Sequence, residues 1–428
     1  MLDIKFIREN QAAVEKAIAD KRVDIDLPRL LVLDDKRIVI EREMQELQAA
    51  KNKISESIPA AADKAPLVAE SRELGVKIAA LESKMGEFAP ELERLLWLVP
   101  NIPAHDVPVG IDDSQNVEIK RVGDKTKFDF EPMSHYDLLI KNDWADFERV
   151  AKVCGSRAHC LKGAAARYEL ALNLYVMDKL ADKGFTMMSV PSVLNGDAPL
   201  YGTGHFPFGR EDVYKLGHME ADGFVADNTW LAGTCELVLN SLHSGEMIPE
   251  DQLPILYAGF SPCFRREAGA AGKDTRGLIR VHQFNKTEQY VLCKADMAEQ
   301  KKWFDTMLAT GEEVLADLEL PYRLLETCTG DMGAGKYRMV DLEAWLPTQN
   351  RYVETHSCSA LTDWQARRTG LRYRENGTNK VRHCFTLNNT GIATPRIFAM
   401  LLENHQTADG RVRIPEKLRA YMGGREYL

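Results

Sequence analysis

The sequence has no run of about 18 or more apolar residues, so no membrane-spanning helix is indicated. Its N-terminus, MLDIKFIREN, puts charges where a secretory signal would have its apolar stretch. Cysteine is thinly scattered: Cys154, Cys160, Cys235, Cys263, Cys293, Cys328, Cys358 and Cys384 form no Cys-x-x-Cys pair and no Cys/His ligand spacing. That pattern argues against a zinc site or a disulfide framework and for a reducing, cytoplasmic setting. Excess positive charge is missing too, the net charge being −9. This does not exclude a polyanionic partner, because binding depends on local basic patches and an acidic remainder suppresses non-specific contacts. What is present is ordinary: 428 residues, 45% hydrophobic and 28% charged, enough for two or three domains and a large core.

Residues 1 to about 22 read as one amphipathic helix with Ile4, Ile7, Val14 and Ile18 on its apolar side. Asp26-Leu27-Pro28 then opens a longer one, with proline in the first turn, where its missing N–H costs nothing. Leu33, Ile40, Met44, Leu47, Ile54 and Ile58 follow a three–four alternation, with Arg37 and Lys51 at two of the inward positions. After a break at Ser57–Ala62 the pattern returns in Leu67, Leu74, Ile78, Leu81, Met85, Phe88, Leu92 and Leu95. Two heptad-patterned helices joined by a short turn make an antiparallel coiled-coil hairpin. At 1.5 Å per residue it would reach roughly 40–45 Å. Pro90 is expected to bend its base. Trp97–Gly110, with three prolines, reads as a linker. The expected division is a helical arm over 1–105 and an α+β body over 106–428.

Within the body, two strand-like runs, Ile255–Phe264 and Leu278–Phe284, flank a Gly-rich basic loop from Gly269 to Arg280. A long antiparallel hairpin of this kind would set Arg265 and Glu267 opposite Phe284 and Glu288. A cation, an aromatic plate and carboxylates would then face one pocket, although a salt-bridged surface hairpin could contain the same residues. Gly330-Asp331-Met332-Gly333-Ala334-Gly335-Lys336 fits the start of a phosphate-binding G-x-x-x-x-G-K loop. Tyr337 follows in place of Ser or Thr, and Val340–Leu346 reads as a strand rather than a helix, so a P-loop is rejected.

Phe264-Arg265-Arg266-Glu267, a loop, and His282-Gln283-Phe284-Asn285-Lys286-Thr287-Glu288 resemble motif 2 of the class II aminoacyl-tRNA synthetases, and specifically of the seryl-tRNA synthetases. The likeness covers nearly the whole chain. The helix expected at Tyr168–Asp182, followed by Gly184-Phe185-Thr186 and Val190-Pro191, resembles motif 1, which implies a homodimer. Phe385–Arg396 resembles motif 3, with Asn389 for Gly, Thr390 for Ser and Pro395 for Gly. Glu354-Thr355-His356-Ser357-Cys358-Ser359 is similar to the family's E-x-S-S-C-S segment, with His356 in place of Ser.

The resemblance implies an antiparallel-sheet catalytic domain with flanking helices, preceded by an arm that reaches serine tRNA. It implies activation of L-serine with ATP and Mg²⁺ to seryl-adenylate, then transfer to the tRNA 3′ end. Whether selenocysteine tRNA is charged as well stays open. By the same resemblance, Thr234, Cys235, Glu236, Glu288 and Thr390 bind serine. Arg265, Arg266, Glu267, Val281, Phe284, Glu354, Thr355, His356, Ser357 and Arg396 bind ATP, with Arg265 on the α-phosphate and Arg396 on the γ-phosphate as the catalytic pair. Glu354 and Ser357 offer hard oxygens to Mg²⁺, and Arg276 and Arg280 would meet the tRNA acceptor end. Strand alternation points His356 away from its neighbours, which favours a packing role over a new ligand. Rival readings are an enzyme loading amino acids onto a carrier protein, an inactive RNA-binding relative and a drug-tolerant duplicate ligase. The long arm argues against the first and the retained motif residues against the second.

Overall fold

The computed structural model describes residues 1–61, 63–269, 276–378 and 380–428. It divides into two compact units: Leu2–Ala19 with Val23–Pro100, and Asn101–Leu428 together with Met1 and Asp20–Arg22.

In the smaller unit, α1 (Ile4–Glu9) starts at Asp3, whose carboxylate accepts from Lys5 N and Phe6 N. The single helix expected over residues 1–22 is in fact two, α1 and α2 (Gln11–Asp20). Asn10 leaves the helical region, and its side-chain amide takes the carbonyl of Phe6 at 3.0 Å, a local competition that ends the first helix. Asp26 caps α3 (Leu27–Ser57), accepting from Arg29 N at 2.9 Å, with Pro28 in the first turn. A short 3₁₀ turn, Ile58–Ala60, separates α3 from α4 (Ala65–Leu98), which runs as helix through Pro90. The two long helices pack together on Leu27, Leu30 and Leu33 from one and Ile78, Leu81, Leu92 and Leu95 from the other. Arg37 occupies its inward position by pairing with the buried Asp34 at 2.6 Å and with Glu41 at 2.7 Å. Lys51 is accommodated by Gly75, where a Cβ would lie 3.4 Å from its Nζ.

The larger unit has helices α5 (His135–Lys141), α6 (Phe147–Cys154), α7 (Gly163–Asp182), α8 (Ala198–Thr203), α9 (Glu236–Ser241), α10 (Met297–Asp317), α11 (Trp364–Thr369), α12 (Thr394–Asn404) and α13 (Glu416–Arg419). Its main sheet has eight strands: β1 (Val117–Val122), β2 (Thr186–Ser189), β7 (Ile255–Phe264), β8 (Gln283–Cys293), β9 (Tyr322–Glu326), β10 (Arg338–Leu346), β11 (Arg351–Ala360) and β14 (Phe385–Ala393). The spatial order is β1-β9-β10-β11-β14-β8-β7-β2, antiparallel except for the β2–β7 pair. Two three-stranded sheets, β3 (Val193–Asn195) with β5 (Gly223–Leu231) and β4 (Lys215–Glu220), and β13 (Val381–His383) with β12 (Arg372–Arg374) and β6 (Met247–Pro249), complete an α+β fold. The main core joins the sheet to α7, α10 and α12, with Tyr168, Leu172, Val314, Leu342, Phe398 and Leu401 all buried.

The hairpin differs from its expected form in one respect. β8 begins at Gln283, and Leu278–His282 are not strand: the N–H of Leu278 goes to the imidazole of His135, that of His282 to Arg157 O, and on the facing chain that of Arg266 to Asp212 O. Glu288 therefore pairs with Gly259, and Phe284 with Cys263. Arg265 and Glu267 lie beyond the strand end rather than across from Glu288.

Candidate active site

Strand alternation decides which side chains reach the cavity. On β8, Lys286 and Glu288 line it, whereas Thr287 turns to Asn173 of α7 at 3.4 Å. On β14, Asn388 and Thr390 line it, whereas Asn389 donates to Met307 O of α10 at 2.8 Å. The space enclosed is about 450 Å³, the size range of small-molecule sites.

One wall is acidic. Glu236, at the start of α9, is buried, and its carboxylate accepts from Gln365 Nε2 and Asn388 Nδ2, both at 2.8 Å. Burial alone would raise its pKa, but the charge of Lys336 and of other nearby groups, with the Gln365 hydrogen bond, holds it below the ordinary glutamate value. Thr234 donates to Glu288 at 3.3 Å and accepts from Lys286 at 3.4 Å. Burial pushes the Glu288 carboxyl up, opposed by its ion pair with Lys286. His205 lies on the same cavity, its imidazole pushed down by burial to about 4 and therefore neutral.

A second group of lining residues carries cations and an aromatic ring. The guanidinium of Arg265 lies 5.3 Å from the centroid of the Phe284 ring, and its Nε donates to Gly233 O at 3.1 Å. Glu267, at a φ of 54°, pairs with Arg280 at 2.8 Å. Arg396, in the first turn of α12, donates to Glu354 O at 2.7 Å and to Ile279 O at 3.4 Å. Proline at 395 suits that first turn, because Pro N has no hydrogen to leave unpaired.

Of the sequence candidates, Thr234, Glu236, Arg265, Glu267, Arg280, Val281, Phe284, Glu288, Glu354, Thr355, Ser357, Thr390 and Arg396 meet on this one cavity. Cys235, Arg266, Arg276 and His356 do not. Cys235 is buried beneath, its thiol donating to Gly259 O at 3.2 Å. Arg266 and Arg276 are exposed, and residues 270–275 of the basic loop lie outside the described residues. His356 points to the helix side of the sheet, between Thr355 Oγ1 at 2.9 Å and Gly391 O at 3.1 Å, and burial lowers its pKa to about 4. Its side chain is not among those that line the cavity.

Several wall residues carried no assigned role in the sequence reading: Lys286, Lys336, His205 and Asn388, with Gln365 behind Glu236. Lys336 closes the G-x-x-x-x-G-K stretch rejected as a P-loop. No helix follows it, yet Gly333–Lys336 forms part of the wall, and Asn101 holds that turn by donating to Gly335 O at 3.1 Å.

The hard oxygens on the cavity suit a divalent cation. Glu354 and Ser357 both face it, and the carboxyl of buried Asp341, opposite Ser357 on β10, is pushed up by burial and by the charge of Glu354. Crowded carboxylates of this kind are relieved by a cation, and two protein oxygens plus substrate phosphates is a common Mg²⁺ set. No cluster of three or more His, Cys, Asp or Glu side chains able to hold a metal occurs among the described residues.

The chain matches two family models. One, described as the seryl-tRNA synthetase N-terminal domain, covers residues 1–103. The other, the tRNA synthetase class II core domain (G, H, P, S and T), covers residues 220–405. The chain is 50% identical to the serine–tRNA ligase of Deinococcus radiodurans, over 100% of this chain and 99% of that one. It is 41% identical to the serine–tRNA ligase of Symbiobacterium thermophilum, over 98% of each. Among solved structures it resembles the seryl-tRNA synthetase of Pyrococcus horikoshii complexed with ATP, at a TM-score of 0.88 and 36% identity, covering 100% of this chain and 99% of that one. With these matches over the whole chain, and a cavity lined by residues of motifs 2 and 3 among others, the chain belongs to the seryl-tRNA synthetase family of class II aminoacyl-tRNA synthetases.

Proposed function

We propose that this cavity is where the chain, a serine–tRNA ligase, joins L-serine to ATP, and that its two walls divide the work. The carrying observation is the convergence of Glu236, Glu288, Arg265 and Arg396 on one cavity. The serine ammonium sits against the two glutamates and Thr234, with Thr390 beside them. Adenine lies on Phe284 near the backbone of Val281, and the triphosphate runs between Arg265 and Arg396. The serine carboxylate oxygen attacks the α-phosphorus and pyrophosphate leaves. Arg265, held in place by Gly233 and by the Phe284 ring, stabilises the charge that grows on the α-phosphate oxygens. In the second step the terminal ribose hydroxyl of the tRNA attacks the seryl carbonyl and AMP leaves. Positioning and charge stabilisation suffice, so no protein nucleophile is required. A Mg²⁺ ion held by Glu354 and Ser357 would neutralise phosphate charge.

The rest of the reading follows the same lines. The helical arm is the tRNA-binding element and the body the catalytic one. A homodimer is supported by Leu170 and Leu174, one turn apart on α7, and Met187 on the edge strand β2, all exposed at 58%, 55% and 45%. All eight cysteines are free, which suits a reducing cytoplasm. No helix among the described residues is long and apolar enough to cross a membrane.

Amino-acid-dependent ATP–pyrophosphate exchange tests the site. Serine should be preferred over alanine by roughly 10⁴-fold, because alanine leaves buried hydrogen-bonding groups unpaired. Exchange with alanine or threonine that rivals serine would remove Thr234, Glu236, Glu288 and Thr390 from serine recognition.

A further inference from the structure

Outside the cavity, the larger unit contains a buried ionisable pair that the reaction does not use. His135, at the start of α5, is 4% exposed, and Glu403, near the end of α12, is 0% exposed. One carboxylate oxygen accepts from the His135 backbone N–H at 3.0 Å and from its Nδ1 at 2.7 Å. The other accepts from Thr348 N at 3.0 Å and Thr348 Oγ1 at 2.7 Å. Burial alone would raise the Glu403 carboxyl, but these donors hold it below the ordinary glutamate value. The carboxylate of Glu403 accepts a hydrogen bond from Nδ1–H, which leaves Nε2 as the acceptor. That acceptor is occupied: the backbone N–H of Leu278 donates to Nε2 at 3.2 Å. Gly277 makes the approach possible. Its φ is +80°, and a Cβ there would lie 2.2 Å from Nε2.

The segment so held is functional wall. Leu278, Ile279, Arg280 and Val281 all line the cavity, and the same helix grips the segment a second time, through Arg396 to Ile279 O. Helix α12 thus reaches the segment from both ends, directly by Arg396 and through the imidazole by Glu403.

We propose that His135 is a positioning residue for ATP, its imidazole fixing the Gly277–Val281 segment at the depth where the nucleotide base is received. This rests on the reading of the cavity as the ATP site. A residue of merely structural importance would lower stability and affect both substrates alike. A positioning residue for ATP changes one of them, because the hydrogen bonds of His135 go to Glu403 and Leu278 and to no residue assigned to serine.

Two substitutions separate its two hydrogen bonds. In His135→Asn the amide can still donate to Glu403, but nothing reaches Leu278 N. In His135→Gln the longer side chain can present an oxygen to Leu278 N. A third, Gly277→Ala, breaks the same contact from the loop side and leaves Glu403 paired, so it decides the matter if His135→Asn fails to fold. In ATP–pyrophosphate exchange with the full chain, His135→Asn and Gly277→Ala should raise KM for ATP about tenfold, the order expected for a buried N–H left unpaired. KM for serine should stay within about twofold, and His135→Gln should recover most of the loss. An unchanged KM for ATP in both His135→Asn and Gly277→Ala overturns the proposal, as does a parallel rise for both substrates that tracks a lowered Tm. Arg396→Ala is measured alongside: if it too leaves ATP use unchanged, the ATP reading of the cavity fails, whereas impaired ATP use in Arg396→Ala alone rejects only the role of His135.

Discussion

In the helical unit, many of the contacts that fix structure link residues close in sequence or matched by a simple period. Arg37 reaches Asp34 three residues back, and Leu27, Leu30 and Leu33 recur on one face of α3. In the larger unit the decisive contacts span the chain. Glu236 is held by Asn388, 152 residues away, and by Gln365, 129 away. A coil of this kind derives its stability from a repeated local pattern. A site for a small, exacting reaction needs groups that no local pattern can bring together. The two units should therefore respond differently to single substitutions: sharply at the cavity, gradually in the arm.

The largest effect is expected at Arg265. Its guanidinium is fixed before substrate arrives, by Gly233 O and the Phe284 ring. Arg265→Ala should cut serine-dependent exchange by about 10²–10³, the usual cost of one preorganised donor, with the arm's helical content unchanged. Near-normal exchange would mean that α-phosphate stabilisation comes from elsewhere, and the sharp half of the comparison would fail.

Next comes the arm itself. A variant with Leu30–Trp97 replaced by a short linker should still make seryl-adenylate, because none of the cavity residues lies there. Its charging of serine tRNA should fall steeply, and the remaining binding should depend less on salt as fewer counterions are released. Charging equal to that of the full chain at physiological salt would make the hairpin a spacer.

These contrasts also explain what could be read from sequence. The arm was legible because a heptad pattern is local physics: Leu33, Ile78, Leu81, Leu92 and Leu95 were all expected inward and are all buried. The break at Asn10 was not, since it turns on one side-chain amide competing for a carbonyl. In the body, strands and helices were visible from alternation, but the cavity was legible only through motif resemblance. Periodicity cannot say that Gln365 supports Glu236, or that Lys336, at the end of a rejected phosphate motif, stands on the wall. The strand-like run Leu278–Phe284 overshoots the start of β8, because periodicity cannot show that its first N–H is claimed by His135.

A moderate effect is expected at Asp34, the buried centre of the arm's ionic cluster. Its carboxylate takes Arg8 at 2.7 Å and Arg37 at 2.6 Å, with the side chain 2% exposed. Asp34→Ala removes hydrogen bonds to charged groups, worth about 1.5–3 kcal/mol. The two arginines keep Asp35 and Glu41 as partners, which limits the loss. Calorimetry should show the helical unit melting earlier, with serine-dependent exchange unaltered. If exchange falls with the melting temperature, the units are not energetically separable.

The smallest effect concerns Thr390, and it tests how finely the cavity is tuned. Its side chain is 6% exposed on β14, opposite Glu288, and lines the cavity. Threonine keeps the hydroxyl that a serine would supply and adds one methyl. Thr390→Ser leaves the hydrogen-bonding group in place and removes only that methyl, worth about 0.8 kcal/mol in burial. KM for serine should therefore rise by no more than about fourfold, the equivalent of that energy at 1.36 kcal/mol per decade. The vacated space enlarges the cavity beside Glu288. Discrimination against threonine in the exchange assay should therefore narrow by a similar factor while that against alanine holds. A loss of serine activation approaching that of Arg265→Ala would show that the methyl sets the position of the hydroxyl, and the serine wall would then be as sharply tuned as the phosphate wall.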